Sequence, residues 1–149
     1  MRSAGRGRPI RSRVRATAVL RCSTWRLTAA IGSKDLPGAY KVLDRLLERG
    51  EAAGGLLSYL NSYLGSLAQL KSLQAEVGSS LAQLAKAMPR KTEYQIKKNL
   101  QEAATWSLSE LATAFDRLTR ADLRMKTGDE ERLLLQLLVL QLCSRSGRG

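Results

Sequence analysis

The chain has 149 residues, of which 44% are apolar and only 5% aromatic, so its length and composition suit one domain with a modest aliphatic core. It contains no His, which removes the commonest general base and metal ligand, and its two Cys residues exclude a disulfide framework. No phosphate-binding glycine loop is present, and no apolar run approaches the roughly 18 residues of a membrane span. These features predict a reduced, intracellular protein without a catalytic site, cofactor or metal.

The net charge of +12 is concentrated at the start of the chain, where residues 1–28 carry eight Arg and neither Lys nor an acid. Residues 1–24 also lack a helical period, which predicts a disordered arm. Three other interpretations remain: an AT-hook-like contact through Gly-Arg-Gly-Arg-Pro at 5–9, an organellar transit peptide, and sequence that is not native to the protein.

Helical patterns follow from Trp25 onward, and no alternating apolar and polar run of strand length appears. Because no heptad register continues from one helix to the next, we predict an all-α fold: a compact bundle of about six helices over residues 25–145, with a disordered tail at 146–149. Apolar residues at intervals of three and four place these helices at about 36–47, 56–70, 81–88, 92–103, 107–125 and 129–142.

Capping signals support two of these helix starts. Thr92 with Gln95, and Ser107 with Glu110, have the spacing of capping boxes. Three acids at 129–131 fall in the first turn of the last helix, where its dipole favours negative charge.

One basic patch lies within the predicted domain, in "PRKTEYQIKK" at residues 89–98. A solvated surface, a contact with nucleic-acid phosphates in which Tyr94 stacks on a base, and a contact with a partner protein all fit this pattern. The candidate nucleic-acid contacts are Arg90, Lys91, Tyr94, Lys97 and Lys98.

The last helix is apolar on nearly every side, which is too wide an arc for one face of a small bundle. We therefore expect part of it to be buried only in an assembly. The candidate subunit-interface residues are Leu133, Leu134, Leu137, Leu138 and Leu140.

Three stretches together resemble a known family: "AAIGSKDLPGAYKVLDRLLERGE" from residue 29, "WSLSELATAFDRL" from residue 106, and "ADLRMKTG" from residue 121. Their order, their caps and their apolar positions are similar to the C-terminal domain of the delta subunit of the bacterial DNA polymerase III clamp loader. The resemblance covers about residues 25–145.

The resemblance implies a helical domain that packs with the equivalent domains of other clamp-loader subunits to form a collar. It implies a bacterial cytoplasmic protein of DNA replication that touches DNA weakly or indirectly. It implies no polymerase or ATP site, since the transferase activity belongs to the holoenzyme. Two further domains, one ATPase-like and one lid, would precede this segment, and without them we expect no contact with the sliding clamp. The alternative is a small basic helical protein that binds DNA or another protein.

Overall fold

The computed structural model describes residues 24–78 and 80–144, and this part of the chain is helical without any strand. The predicted all-helical fold is confirmed. Besides the six predicted helices, residues 24–32 form a further helix. The predicted arm and tail lie outside the described residues, except Thr24, which is helical and buried. The helices are α1 (24–32), α2 (Leu36–Glu48), α3 (Ala53–Val77), α4 (Leu81–Ala87), α5 (Glu93–Ala103), α6 (Leu108–Lys126) and α7 (Glu131–Cys143).

Both predicted capping boxes form, at the starts of α5 and α6. The start of α7 differs in detail from the prediction of three acids acting together on the helix dipole. Glu130 is the N-cap and accepts a hydrogen bond of 2.8 Å from the Leu133 amide, whereas Asp129 forms an ion pair of 2.7 Å with Arg124. Asp129 therefore ties the end of α6 to the connection that leads into α7.

The bundle is organised around α3, a helix of 25 residues that packs against α4, α5, α6 and α7. Its length, about 37 Å at 1.5 Å per residue, lets it serve two hydrophobic cores. The larger core joins α3 to α1, α2, α6 and α7, and the smaller one contains Leu70, Leu84, Met88 and Ile96. The short helix α4 is thus held by only the second of these cores.

Gly32, at the end of α1, lies where three parts of the chain meet. Its carbonyl oxygen accepts hydrogen bonds from the Thr105 hydroxyl (2.8 Å) and the Trp106 indole N–H (3.2 Å). A Cβ atom at Gly32 would overlap the hydroxyl of Tyr63 and would lie 3.0 Å from Cδ of Glu102. The absence of a side chain at Gly32 therefore allows α1 to approach α3 and α5 closely. We call Gly32, Tyr63, Glu102, Thr105 and Trp106 the Gly32 junction.

Lys34, in the connection between α1 and α2, also contacts the Gly32 junction. It has a positive φ of 62°, and its Nζ lies 3.8 Å from the ring centroid of Trp106 and 3.5 Å from a carboxylate oxygen of Glu110. Its side chain is only 10% exposed, so these contacts are partly shielded from water. The ammonium group of Lys34 thus links the Gly-Ser-Lys-Asp turn to the start of α6.

Cys143, near the C-terminal end of α7, is buried. Burial raises the pKa of the Cys143 thiol to about 11; Lys34 partly opposes this shift and Asp35 adds to it. The thiol is therefore both shielded and protonated at neutral pH.

A test of the Gly32 junction compares Gly32→Ala with Gly65→Ala. Both glycines are helical, but a Cβ at Gly65 would have open space around it. We expect Gly65→Ala to raise stability by about 0.5–1 kcal/mol, and Gly32→Ala to lower it by about 1–3 kcal/mol because of the steric overlap. Thermal and urea unfolding measure both. Equal stabilisation by the two changes would contradict the close packing.

A second test uses the thiol of Cys143 in a Cys22→Ser chain. We expect the folded protein to react slowly with a disulfide reagent at pH 8, and the rate to rise sharply in urea. Because the pKa is higher in the folded than in the unfolded chain, the unfolded chain ionises first as the pH rises from about 9 to 11. The contribution of Cys143 to stability is therefore complete below this window and falls across it. Cys143→Ala should remove this component of the pH dependence.

Candidate nucleic-acid surface and subunit interface

The predicted basic patch is positioned by the start of α5. The capping box fixes Thr92 and Gln95, so that Lys91 precedes the helix while Tyr94 and Lys98 project from its first two turns. Because residues four apart share a helical face, Tyr94 and Lys98 lie on one side of α5. The local sequence thus determines the relative placement of these two side chains.

The structure brings three of the five predicted contacts together with two aromatic residues from elsewhere in the chain. Lys91, Tyr94 and Lys98 line a groove of about 180 Å³ that also includes Trp25 of α1 and Tyr59 of α3. Lys98 Nζ lies 4.3 Å from the ring centroid of Trp25. We call these five residues the aromatic–cationic groove. The other two predicted contacts, Arg90 and Lys97, are exposed but do not line it.

The aromatic side chains of this groove are accessible. Tyr94 is 70% exposed, so its ring offers a face to a planar ligand, whereas Trp25 is 46% exposed and has the Lys98 ammonium over its ring. Lys91 and Lys98 line the same groove, where they can contact phosphate while a base stacks on Tyr94. The composition of the groove therefore suits a ligand that is both planar and anionic.

The floor of the groove carries the opposite charge. Glu102 is buried there, and its Oε1 accepts hydrogen bonds from the Tyr63 hydroxyl (2.6 Å) and the Asn99 amide (3.2 Å). Burial raises the pKa of Tyr63 well above its usual range, and its hydrogen bond to Glu102 raises it further. Tyr63 is thus a neutral donor, and an incoming phosphate would be favoured at the lysines rather than at the floor.

Sequence reasoning missed Trp25 and Tyr59 as parts of this surface. Both are far from α5 along the chain, and their isolated positions follow no spacing shared with Lys91 or Lys98. The only available signal was the general rarity of aromatic residues in this chain. The packing of α1 and α3 beside α5 is what places these rings next to the lysines.

The five predicted interface leucines of α7 separate into two groups. Leu134 and Leu138 are 7% and 2% exposed, so they are buried within the chain itself. The other three form a stripe at intervals of four and three residues, which we call the α7 leucine stripe. Its members are 64%, 43% and 40% exposed: Leu133, Leu137 and Leu140.

One flank of α7, beside the stripe, is held against the bundle by more than apolar packing. The Tyr40 hydroxyl donates to the Gln136 carbonyl oxygen (3.1 Å), and Arg132 pairs with Asp44 of α2 (3.3 Å). These contacts with α2 set the rotation of α7 about its own axis. The leucine stripe is therefore presented outward by a fixed helix.

Among residues 24–78 and 80–144, no three His, Cys, Asp or Glu side chains are grouped so that they could hold a metal ion. Within the same residues, no helix is long and apolar enough to span a membrane.

Comparison with known proteins identifies the fold. The family described as DNA polymerase III delta subunit, C-terminal domain, matches residues 23–142. The structure is similar to that of the Bacillus subtilis DNA clamp loader delta protein (YqeN), with a TM-score of 0.69 and 25% sequence identity. The match covers 83% of this chain and 36% of that protein, so the chain spans about a third of its length. A comparison with curated proteins finds no match. Since the family match covers most of the chain and agrees with the predicted resemblance, the chain belongs to the family formed by the C-terminal domains of DNA polymerase III delta subunits.

Proposed function

We propose that this chain supplies a helical collar domain to a bacterial clamp loader, and so acts as an accessory, non-catalytic element of DNA replication in the cytoplasm. The observation that carries this proposal is the exposed α7 leucine stripe, on a domain that matches the delta family from residue 23 to residue 142. The partners would be the other subunits of the loader.

The physical argument begins with the cost of leaving the stripe in water. Leu133, Leu137 and Leu140 expose large parts of their side chains along about two turns of one helix. Removing such surface from water contributes roughly 25 cal/mol for each Å² buried. Contiguous exposed apolar surface of this kind is characteristic of interaction sites. A neighbouring subunit that covers the stripe would gain this free energy.

The rigidity of α7 favours association further. Because Leu134 and Leu138 are already buried and α2 holds one flank of the helix, no refolding is needed to present the stripe. A preorganised surface loses less conformational entropy on binding than a mobile one.

A DNA contact is a second part of the proposal, supported by the aromatic–cationic groove. Tyr94 and Trp25 provide exposed rings, and Lys91 and Lys98 provide cations beside them. Stacking does not depend strongly on base identity, so this surface suits single-stranded nucleic acid without sequence preference. The contact would be weak, because among residues 24–78 and 80–144 two lysines line the groove.

The proposed collar role predicts different effects for neighbouring leucines. Leu138→Ala should lower the free energy of unfolding by about 2–5 kcal/mol, because it leaves a cavity in the core. Leu137→Ala should change the melting temperature little but weaken co-purification with the other loader subunits from the same bacterium. Leu108→Ala is the control, since Leu108 is 61% exposed but lies on α6. Loss of assembly by Leu108→Ala equal to that by Leu137→Ala would argue against the stripe.

The proposed DNA contact predicts distinct effects on affinity and on its salt dependence. Removing residues 1–22 should lower both, since that segment carries seven Arg. In the shortened chain, Lys91→Ala or Lys98→Ala should reduce the slope of log K against log salt by about 0.7, the value for one single-strand phosphate contact. Tyr94→Ala should cost about 1–3 kcal/mol with little change in slope.

Fluorescence anisotropy with a labelled oligothymidine measures these constants. Lys86→Ala is the matched control, because Lys86 is an exposed lysine of α4 outside the groove. If Lys86→Ala and Lys98→Ala reduce the slope equally, the groove has no special role in binding.

A further inference from the structure

A second groove lies between α6 and α7, on the side of α7 next to the leucine stripe. It has a volume of about 410 Å³. Leu134, Leu137 and Leu138 of α7 form its apolar wall, and Leu137 also belongs to the α7 leucine stripe. The groove is therefore continuous with the surface proposed to meet another subunit. We call it the α6–α7 groove.

Three arginines of α6 line the same groove: Arg117, Arg120 and Arg124. Their spacing of three and four residues places them on one helical face, along about 10 Å of the helix. Within the part of the chain that the structure describes, Asp116 is the one acidic residue that lines the groove with them, so this lining has a net positive charge. An apolar wall beside a cationic row is the pattern that an amphipathic acidic segment would complement.

The arginines can exchange their present partners for those of a ligand. Arg120 pairs with Asp116 at 3.2 Å and Arg124 pairs with Asp129 at 2.7 Å, and the side chains of both pairs are at least 44% exposed. Exposed ion pairs of this kind contribute little to stability, so breaking them costs little. Guanidinium groups also bind carboxylates through two parallel hydrogen bonds, which favours Arg over Lys at such a site.

We propose that the α6–α7 groove binds an acidic amphipathic helix of a neighbouring loader subunit, with its apolar residues against Leu137, the exposed leucine of the apolar wall, and its carboxylates on the three arginines. This inference rests on the proposed collar function and adds the chemistry of the partner. A helix of two to three turns matches the length of the arginine row.

Charge argues against the chain's own terminal segments as occupants. Residues 1–23 contain seven Arg and no acid, and residues 145–149 contain two Arg and no acid. Either segment would bring like charge to the arginine row, which disfavours binding. A separate acidic partner is the occupant that the charge of the groove selects.

The test uses the whole chain and two fluorescein-labelled synthetic helices with the same leucine pattern, one flanked by Glu and the other by Lys. We expect the Glu helix to bind and the Lys helix not to bind. Arg117→Glu/Arg120→Glu should weaken the Glu helix by more than about ten-fold and allow the Lys helix to bind. Lys41→Glu/Lys86→Glu is the matched control, because it changes the net charge equally at exposed positions outside the groove.

Arg120→Glu alone serves as a second variant if the double substitution unfolds the chain, since the Arg120 side chain is 75% exposed. Equal binding of both helices, or equal effects of the groove and control variants, would overturn the proposal. Sedimentation of the chain alone is a further check. If the chain forms a dimer that Arg120→Glu disrupts, the groove binds a second copy of the chain and the proposal is overturned.

Co-purification with the loader subunits separates this inference from the proposed function. If the chain assembles through Leu137 but the groove variants assemble normally, the groove proposal fails and the collar proposal stands. If the chain does not assemble with those subunits at all, the collar proposal fails and a loader subunit is excluded as the occupant.

Discussion

The carbonyl oxygen of Gly32 accepts hydrogen bonds from Thr105 and Trp106, and the missing side chain of Gly32 leaves room for the hydroxyl of Tyr63. This contact fixes α1 against the middle of α3 and the end of α5 at one point. Because Trp106 directly precedes Ser107, the N-cap of α6, the same contact also positions the start of α6 against α1. A single added methyl group at Gly32 would overlap the Tyr63 hydroxyl and so disturb the hydrogen bond between Tyr63 and Glu102.

Both candidate surfaces depend on this arrangement. The aromatic–cationic groove has Tyr63 and Glu102 in its floor, so the residues that hold α1 in place also set the distance between Trp25 and Lys98. Lys34, which lies over the ring of Trp106 in the same junction, links the connection after α1 to Glu110 of α6. The position of α6 in turn sets one wall of the α6–α7 groove. The packing of α1, α3, α5 and α6 therefore determines the shape of both surfaces.

Sequence patterns within single helices predicted much of the fold. Capping boxes at Thr92 and Ser107 appear in the structure as expected, because a cap depends on residues only three positions apart. The role of Asp129 differed, since its partner Arg124 lies on the previous helix and competes with the dipole of α7. Helix α1 was not delimited, because its buried residues Leu27 and Ile31 form too short a pattern to stand out without the core they contact.

The sequence by itself determined the helical class, the positions of the caps and the excess of leucine on α7, because these follow from composition and from spacing within one helix. It also carried the resemblance to the delta family that the comparison confirmed. Only the tertiary structure decided that Leu138 is buried while Leu137 is exposed, and that Trp25 and Tyr59 lie beside Lys98. These relations join residues of different helices, and their packing depends on contacts between elements that no periodicity within one helix records.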